Sequence, residues 1–175
     1  MNISDLVDFK SQPFKVFDDN AMYELVESIK NVGVLVPIIV RPLQDGKYEI
    51  VSGHRRKRVC EIAGLDEVPV QIKRVDNDEA AILLVDSNLQ RENLLPSEKA
   101  YAYKLKLDAI KHQGKRLYEE TFLGSSAVVG QGIEQSGRQI RRYIRLTELI
   151  YKLLDKVDCN IIPVTAGAEI SFFEC

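Results

Sequence analysis

Two short β-branched and aromatic runs, VPIIVR (Val36–Arg41) and KYEIVS (Lys47–Ser52), flank PLQDG. The Asp45-Gly46 pair inside that link is a strong hairpin signal, because glycine adopts the positive φ that a tight turn requires. The second run passes through Gly53 directly into His54, Arg55, Arg56, Lys57 and Arg58. A chain with this stretch must therefore build a hairpin, a glycine corner and a basic helix in succession. Asp18–Gly33 predicts the helix ahead of it, with Met22, Leu25, Val26 and Ile29 on one face, aspartates to cap the start and Gly33 as the stop. From His54 the pattern is helical, with Val59, Ile62 and Ala63 on one side and Gly64 closing it. VPVQIKR (Val68–Arg74) then returns to strand. The expected order is helix, strand, strand, helix, strand.

The rest of the chain reads as helical. Asn77–Leu94 is too long and too rich in alanine and leucine for a strand. Pro96 suits the first position of a further helix that ends at Gly114, with Ala100, Tyr103, Leu107 and Ile110 at helical spacing and Lys99, Lys104, Lys106 and Lys111 on its other sides. After LYEETFLG, small and polar residues predict two short helices about a tight turn. Ser125 or Ser126 caps the first, Gly130 and Gly132 supply the turn, and Ser136 caps the second, whose Ile140, Ile144 and Leu149 face inward. Ser136, Arg138, Gln139, Arg141, Arg142 and Arg145 are then available outside. A helix carrying arginine and glutamine is what the DNA major groove accepts, since these side chains make bidentate contacts to guanine and adenine edges. An ordinary exposed helix is the plainer alternative.

Charge placement says more than the net charge of -2. Acids dominate the first thirty residues, and bases dominate Lys99–Arg116 and Arg138–Arg145. No apolar run is long enough to cross a bilayer, and the start carries acids where a secretory signal carries lysines, so a soluble, cytoplasmic protein is expected. Cys60, Cys159 and Cys175 lack the paired spacings of a zinc site or disulfide framework and read as reduced. His112 reads as a helix-end residue, and Tyr101 and Tyr103 as core and surface aromatics rather than base-stacking platforms.

A strand that ends in glycine and enters a helix leaves backbone N–H groups pointing outward, and with the helix dipole these form an anion site. Gly53 lets a phosphate approach the backbone, and His54, Arg55 and Arg56 add donors. The lysine and hydroxyl of a Walker loop are absent. Against this stands a solvated basic surface, the usual meaning of such a run.

QPFKVFDDNAMYELVESIKNVGVLVPIIVRP, DGKYEIVSGHRRKRVCEIAG, VPVQIK, NLQRENLLPSEKAYAY and the following helix-turn-helix together resemble the ParB partition proteins over nearly the whole chain. The resemblance implies an α+β fold, with a small mixed-sheet domain of ParB or sulfiredoxin type over residues 1–94 and an all-α helix-turn-helix domain over 95–175. It further implies CTP and Mg2+ as ligands, a dimeric clamp, a centromere-like double-stranded DNA site, a ParA-type ATPase partner and a place on the nucleoid or a plasmid. By the same resemblance, Gly53, His54, Arg55 and Arg56 match the phosphate-binding turn, Gln12 and Pro13 a segment near the nucleotide, and Ser87, Asn88, Gln90 and Arg91 the box that holds nucleotide and, through Asn88, the metal.

Three departures qualify the match. Ser87 replaces the metal-side glutamate, with Asp86 one residue earlier, a step of roughly 100° around a helix. Phe14 replaces an arginine, and His54 replaces a glutamate. No counterpart of the family's C-terminal dimerisation domain follows Ile170, so either the chain is cut or this member lacks it. Function is thus expected in partition by a CTP-binding, site-specific DNA-binding protein with at most weak CTPase activity. The alternatives are a DNA-binding regulator with a vestigial nucleotide site, or a kinase-like or nucleotide-hydrolysing enzyme whose base is Glu92 or Asp86. Sulfiredoxin chemistry is excluded, because Gly53 stands where that reaction needs a cysteine.

Overall fold

Asp19 starts the first helix, its Oδ1 accepting the Met22 N–H at 2.8 Å, so one orphan amide of the first turn is satisfied. That helix, α1 (Asn20–Val32), ends at Gly33, whose φ of 76° provides the left-handed exit. The computed structural model describes residues 1–114 and 136–173. It divides into two compact units between Asp76 and Asn77.

The first unit is a four-stranded mixed sheet with two helices. Strands β1 (Leu6–Asp8), β2 (Ile38–Pro42), β3 (Tyr48–Ser52) and β4 (Val70–Ile72) lie in the order β1-β3-β2-β4. The expected hairpin forms: β2 and β3 pair antiparallel, with Gly46 at φ 82° in the turn. β1 runs parallel to β3, and β4 parallel to β2. Strand β1 precedes every element expected from sequence; at three residues, flanked by acids, it has no periodicity to read. α2 (His54–Ala63) follows the corner at Gly53. The core gathers Met22, Val26 and Ile29 of α1, Ile38, Val40 and Ile50 of the sheet, and Val59 and Cys60 of α2. Each such side chain contributes roughly 1.5–3 kcal/mol by leaving water.

A charged pair also sits within this sheet. Arg41 and Glu49 are register partners on β2 and β3. The Arg41 Nε–H donates to Glu49 Oε2 at 2.6 Å, and its Nη2 lies 2.5 Å from the same oxygen. Both side chains are 9% exposed. The Lys10 N–H donates to the other carboxylate oxygen at 3.4 Å, and the guanidinium lies 5.7 Å from the Phe9 ring centroid. The pair thereby ties the end of β1 to the hairpin.

The second unit is helical. α3 (Asn77–Asn88) packs on α4 (Pro96–Gln113), and α5 (Gly137–Arg145), α6 (Tyr151–Asp158) and α7 (Val164–Ile170) complete the described part. Its core joins Ala100, Tyr103 and Leu107 of α4 with Ile140 and Tyr143 of α5, Leu146, and Leu154 and Val157 of α6. The Tyr103 and Tyr143 rings meet at 5.8 Å in a tilted pair, and burial pushes the Tyr103 hydroxyl up to about 12. Asp158 caps α4 from a distance, accepting the Ser97 N–H at 2.8 Å and its hydroxyl at 2.6 Å. Two expectations are corrected here. The helix from Asn77 stops at Asn88 instead of Leu94, because Ser87 and Asn88 turn their side chains back to the Leu84 carbonyl and so compete with the helical ladder. Lys106 is not a surface decoration: its side chain is 8% exposed and its Nζ donates to Asp86 at 2.6 Å. The first helix and turn of the expected helix-turn-helix, Ser125 to Gly132, lie outside the described residues. No helix among the described residues is long and apolar enough to cross a membrane.

Removing one partner of a buried ion pair strands the other charge. Glu49→Leu is therefore expected to lower stability by about 3–5 kcal/mol in chemical denaturation. The double variant Arg41→Met/Glu49→Leu should recover most of that loss.

Candidate functional site

The corner between β3 and α2 rests on Gly53, with φ 111° and ψ 22° and no side-chain cap on the helix. The first turn of α2 keeps amide donors without a capping side chain, which is the geometry of an anion site. A Cβ on Gly53 would meet the Arg56 Cζ and Nη2 and the Ile38 Cγ2, each at 3.3 Å. Arg56 lies beneath the turn, and its Nη1 donates to the Val36 carbonyl at 2.6 Å and to the Pro37 carbonyl. Burial holds its pKa below the usual arginine value. Arg56 thus braces the loop that leads into β2, in addition to any contact with a ligand. Arg55 pairs with Asp19 at 3.3 Å, with side chains 33% and 50% exposed. A pair so exposed contributes little, and an incoming anion can exchange for it.

The remaining members of the basic row face elsewhere. His54, Lys57, Arg58 and Glu61, at helical spacing, line one side of a 340 Å³ cleft with Asp8, Gln12, Val16, Phe17 and Asp18. Lys57 sits 3.3 Å from Asp8 and 3.7 Å from Glu61. Arg58 holds Asp18 at 2.6 Å, which lowers the Asp18 pKa chiefly through this hydrogen bond. Both cations of the cleft are committed to carboxylates. At its floor His54 Nε2 and Gln12 Oε1 are buried without a hydrogen-bond partner. Burial pushes His54 down to about 4, the Asp8 carboxylate opposing and Lys57 assisting. His54 is therefore neutral at pH 7 and gives a phosphate no positive charge.

Ser87, Asn88 and Arg91 stand at the end of α3, in the second unit. The Ser87 hydroxyl donates to the Leu84 carbonyl at 3.0 Å. Asn88 Nδ2 donates to the same carbonyl at 2.9 Å and to Ser87 Oγ at 3.3 Å, and its Oδ1 accepts from Arg91 Nη1 at 3.4 Å. Asp86, the one carboxylate of the DSNLQR stretch, is bonded to Lys106. Mg2+ takes oxygen ligands, with one or two protein carboxylates beside substrate phosphates. Asp86 gives only its Oδ1 to Lys106 and its side chain stays 48% exposed, while both side chains that follow are hydrogen-bonded to their own helix. Among the described residues no three His, Cys, Asp or Glu side chains converge as a metal set.

On α5, the Ser136 hydroxyl caps the helix by accepting the Gln139 N–H at 3.3 Å. Arg138 and Gln139 are exposed, and Arg141 and Arg142 half-buried. These arginines border a 560 Å³ groove closed by Thr165, Glu169 and Phe172. Arg145 borders the same groove but is engaged within the chain: its Nη2 donates to the Ser171 carbonyl at 3.1 Å, and its guanidinium stacks 3.9 Å from the Phe172 ring centroid. It fastens α5 to α7.

A mixed four-stranded α/β domain with a glycine-led corner, followed by a helical unit with a capped, arginine-rich helix, defines the class. The ParB N-terminal domain model matches residues 1–89, just over half of the chain, and the chain belongs to that family. A probable chromosome 1-partitioning protein ParB from Deinococcus radiodurans is 40% identical over 145 residues, covering 83% of this chain and 46% of that protein. A probable chromosome-partitioning protein ParB from Pseudomonas putida is 44% identical over 93 residues, 53% of this chain and 32% of that protein. The chain spans about a third to a half of the length of these curated relatives. Among solved structures, the C-terminally truncated chromosome-partitioning protein ParB from Caulobacter crescentus, complexed to the centromeric parS site, matches with a TM-score of 0.61 and 26% identity, covering 97% of this chain and 82% of that one. A Pnob8-like ParB-N domain shares the fold, with a TM-score of 0.63 at 17% identity. The match to residue 89 and the packing division at Asp76 differ because α3 turns its buried face onto α4.

Two measurements probe the corner. Gly53→Ala is expected to destabilise by about 1–3 kcal/mol, since its φ disfavours any Cβ and the new methyl would press on Arg56 and Ile38. The folded pKa of His54 lies below the ordinary 6.5, so its contribution is complete above pH 6.5 and is lost as pH falls from there toward 4. Between about pH 7.5 and pH 5 the wild type should lose on the order of 2 kcal/mol more than His54→Leu in urea denaturation.

Proposed function

We propose that this chain is the nucleotide- and DNA-binding part of a ParB-type partition protein. The observation that carries this reading is α5. Its capped N-terminus and exposed Arg138 and Gln139, with Arg141 and Arg142 beside them, offer donors for base edges and phosphates. The likeness over 97% of the chain to a ParB held on parS supports the same role. In this reading the chain binds a centromere-like duplex as a homodimer on the nucleoid or a plasmid, in the cytoplasm, and works with a ParA-type ATPase. CTP is the nucleotide, its phosphates taken by the open amides of α2 at Gly53 and by Arg55 once released from Asp19. Gln12, His54 and Arg56 serve as positioning groups around it.

One observation favours a second reading, a DNA-binding regulator whose nucleotide site is vestigial. Arg56, Lys57 and Arg58 all have partners within the chain, which leaves the corner few cations to offer. Titration calorimetry with CTP separates the two: saturable heat, abolished by Arg55→Ala, supports the first, and absence of heat supports the second. For DNA, Arg138→Ala/Arg142→Ala is expected to weaken binding to a parS duplex at least tenfold and to flatten the salt dependence by about two phosphate contacts. Fluorescence anisotropy across a salt series reads both, and an unchanged slope would remove α5 from the interface.

A further inference from the structure

Resting on the DNA reading above, we infer that Arg145 is a positioning residue of the recognition surface: it reads no DNA itself, and with Ser171 and Phe172 it fixes the tilt at which α5 presents Arg138 and Gln139. Arg138, Arg141, Arg142 and Arg145 recur at helical spacing along α5, so the sequence puts the fourth in line with the other three. The structure separates it from them. Its Nε–H donates to the Ser171 hydroxyl at 3.2 Å, its Nη2 donates to the Ser171 carbonyl at 3.1 Å, and its guanidinium lies 3.9 Å from the Phe172 ring centroid. Ser171 can hold that guanidinium because it is itself fixed: it is 4% exposed, and its hydroxyl donates to the Ala168 carbonyl at 2.8 Å. The joint continues inward. A Cβ on Gly167 would stand 2.9 Å from Leu146 Cδ2 and 3.0 Å from Val157 Cγ2, so α7 lies hard against the end of α5 and against α6.

The opposite end of α5 carries the donors for base edges. Ile140 and Tyr143 seat the middle of the helix in the core, which sets its depth, and the Arg145 joint sets its tilt. A tilt of about 10° about that middle moves the Arg138 backbone, about 5 Å away, by about 1 Å, beyond the roughly 0.5 Å within which a binding group must be held. Base edges demand two aligned hydrogen bonds from one side chain, whereas a phosphate attracts a guanidinium from a range of positions. Loosening the joint therefore costs sequence discrimination and leaves the general attraction to DNA in place.

Two variants that conserve charge test this by fluorescence anisotropy on a parS duplex and on a scrambled duplex of the same length and composition. Arg145→Lys keeps the charge and loses the planar fork. Phe172→Ala removes a ring that is 65% exposed, and so leaves the core intact. Each is expected to weaken binding to the parS duplex by at least about fivefold, the lower end of what one bidentate base contact contributes, while affinity for the scrambled duplex stays within about twofold. An equal loss on both duplexes, the mark of a lost phosphate contact or of a smaller folded fraction, overturns the proposal, and so does an unchanged parS affinity. A wild type that binds both duplexes alike, or neither, would remove the DNA reading instead. The joint is then decided on free protein by hydrogen exchange: the amides of α5 should exchange at least about tenfold faster in Phe172→Ala than in the wild type, and equal rates overturn it.

Discussion

The Arg56 guanidinium, wedged beneath Gly53 and hydrogen-bonded to the carbonyls of Val36 and Pro37, joins three segments at one point: the end of β3, the start of α2 and the approach to β2. Positive φ at Gly53 aims the first turn of α2 outward, and the missing Cβ leaves the space that the guanidinium fills. Because those carbonyls lie just before β2, the same bonds register the loop against the sheet. The open amides of α2 are therefore rigidly presented, and an anion meeting them would pay little further ordering entropy. The bonds that make the corner stiff also occupy the cation that a basic motif suggests is waiting for a ligand.

Charge in this protein is mostly internal structure. Arg41 with Glu49, Lys106 with Asp86, Arg58 with Asp18, and Arg145 with Ser171 and Phe172 each fasten one element to another. The Arg41–Glu49 pair, buried on both sides, carries the greatest consequence, since desolvation makes a partnerless charge expensive while the intact pair is close to neutral in free energy. Outside these contacts stand the uncapped amides of α2 beside the exposed Arg55–Asp19 pair on one unit, and the exposed Arg138 and Gln139 of α5 on the other.

Much of the architecture was legible in the residues. The Asp45-Gly46 turn, the Asp19 and Ser136 caps, the Gly33 and Gly64 stops and the Pro96 start are local devices whose physics needs only neighbouring atoms, and each lies where the pattern put it. Strand β1 was not legible, because three residues carry no period and its pairing with β3 is made across forty residues of chain. The early end of α3 was hidden for a related reason: Ser87 and Asn88 are compatible with helix until their side chains choose the Leu84 carbonyl.

The candidate sites divide in the same way. From the sequence come the membership of the glycine corner and of the arginine helix, and the absence of a glutamate at position 87, because identity and spacing are facts of the chain. Only the folded structure decides which charges are free. Whether Arg56 meets a ligand or a carbonyl, whether His54 is charged, and whether Asp86 can bind a metal depend on burial and on partners remote in sequence, and a linear pattern contains neither.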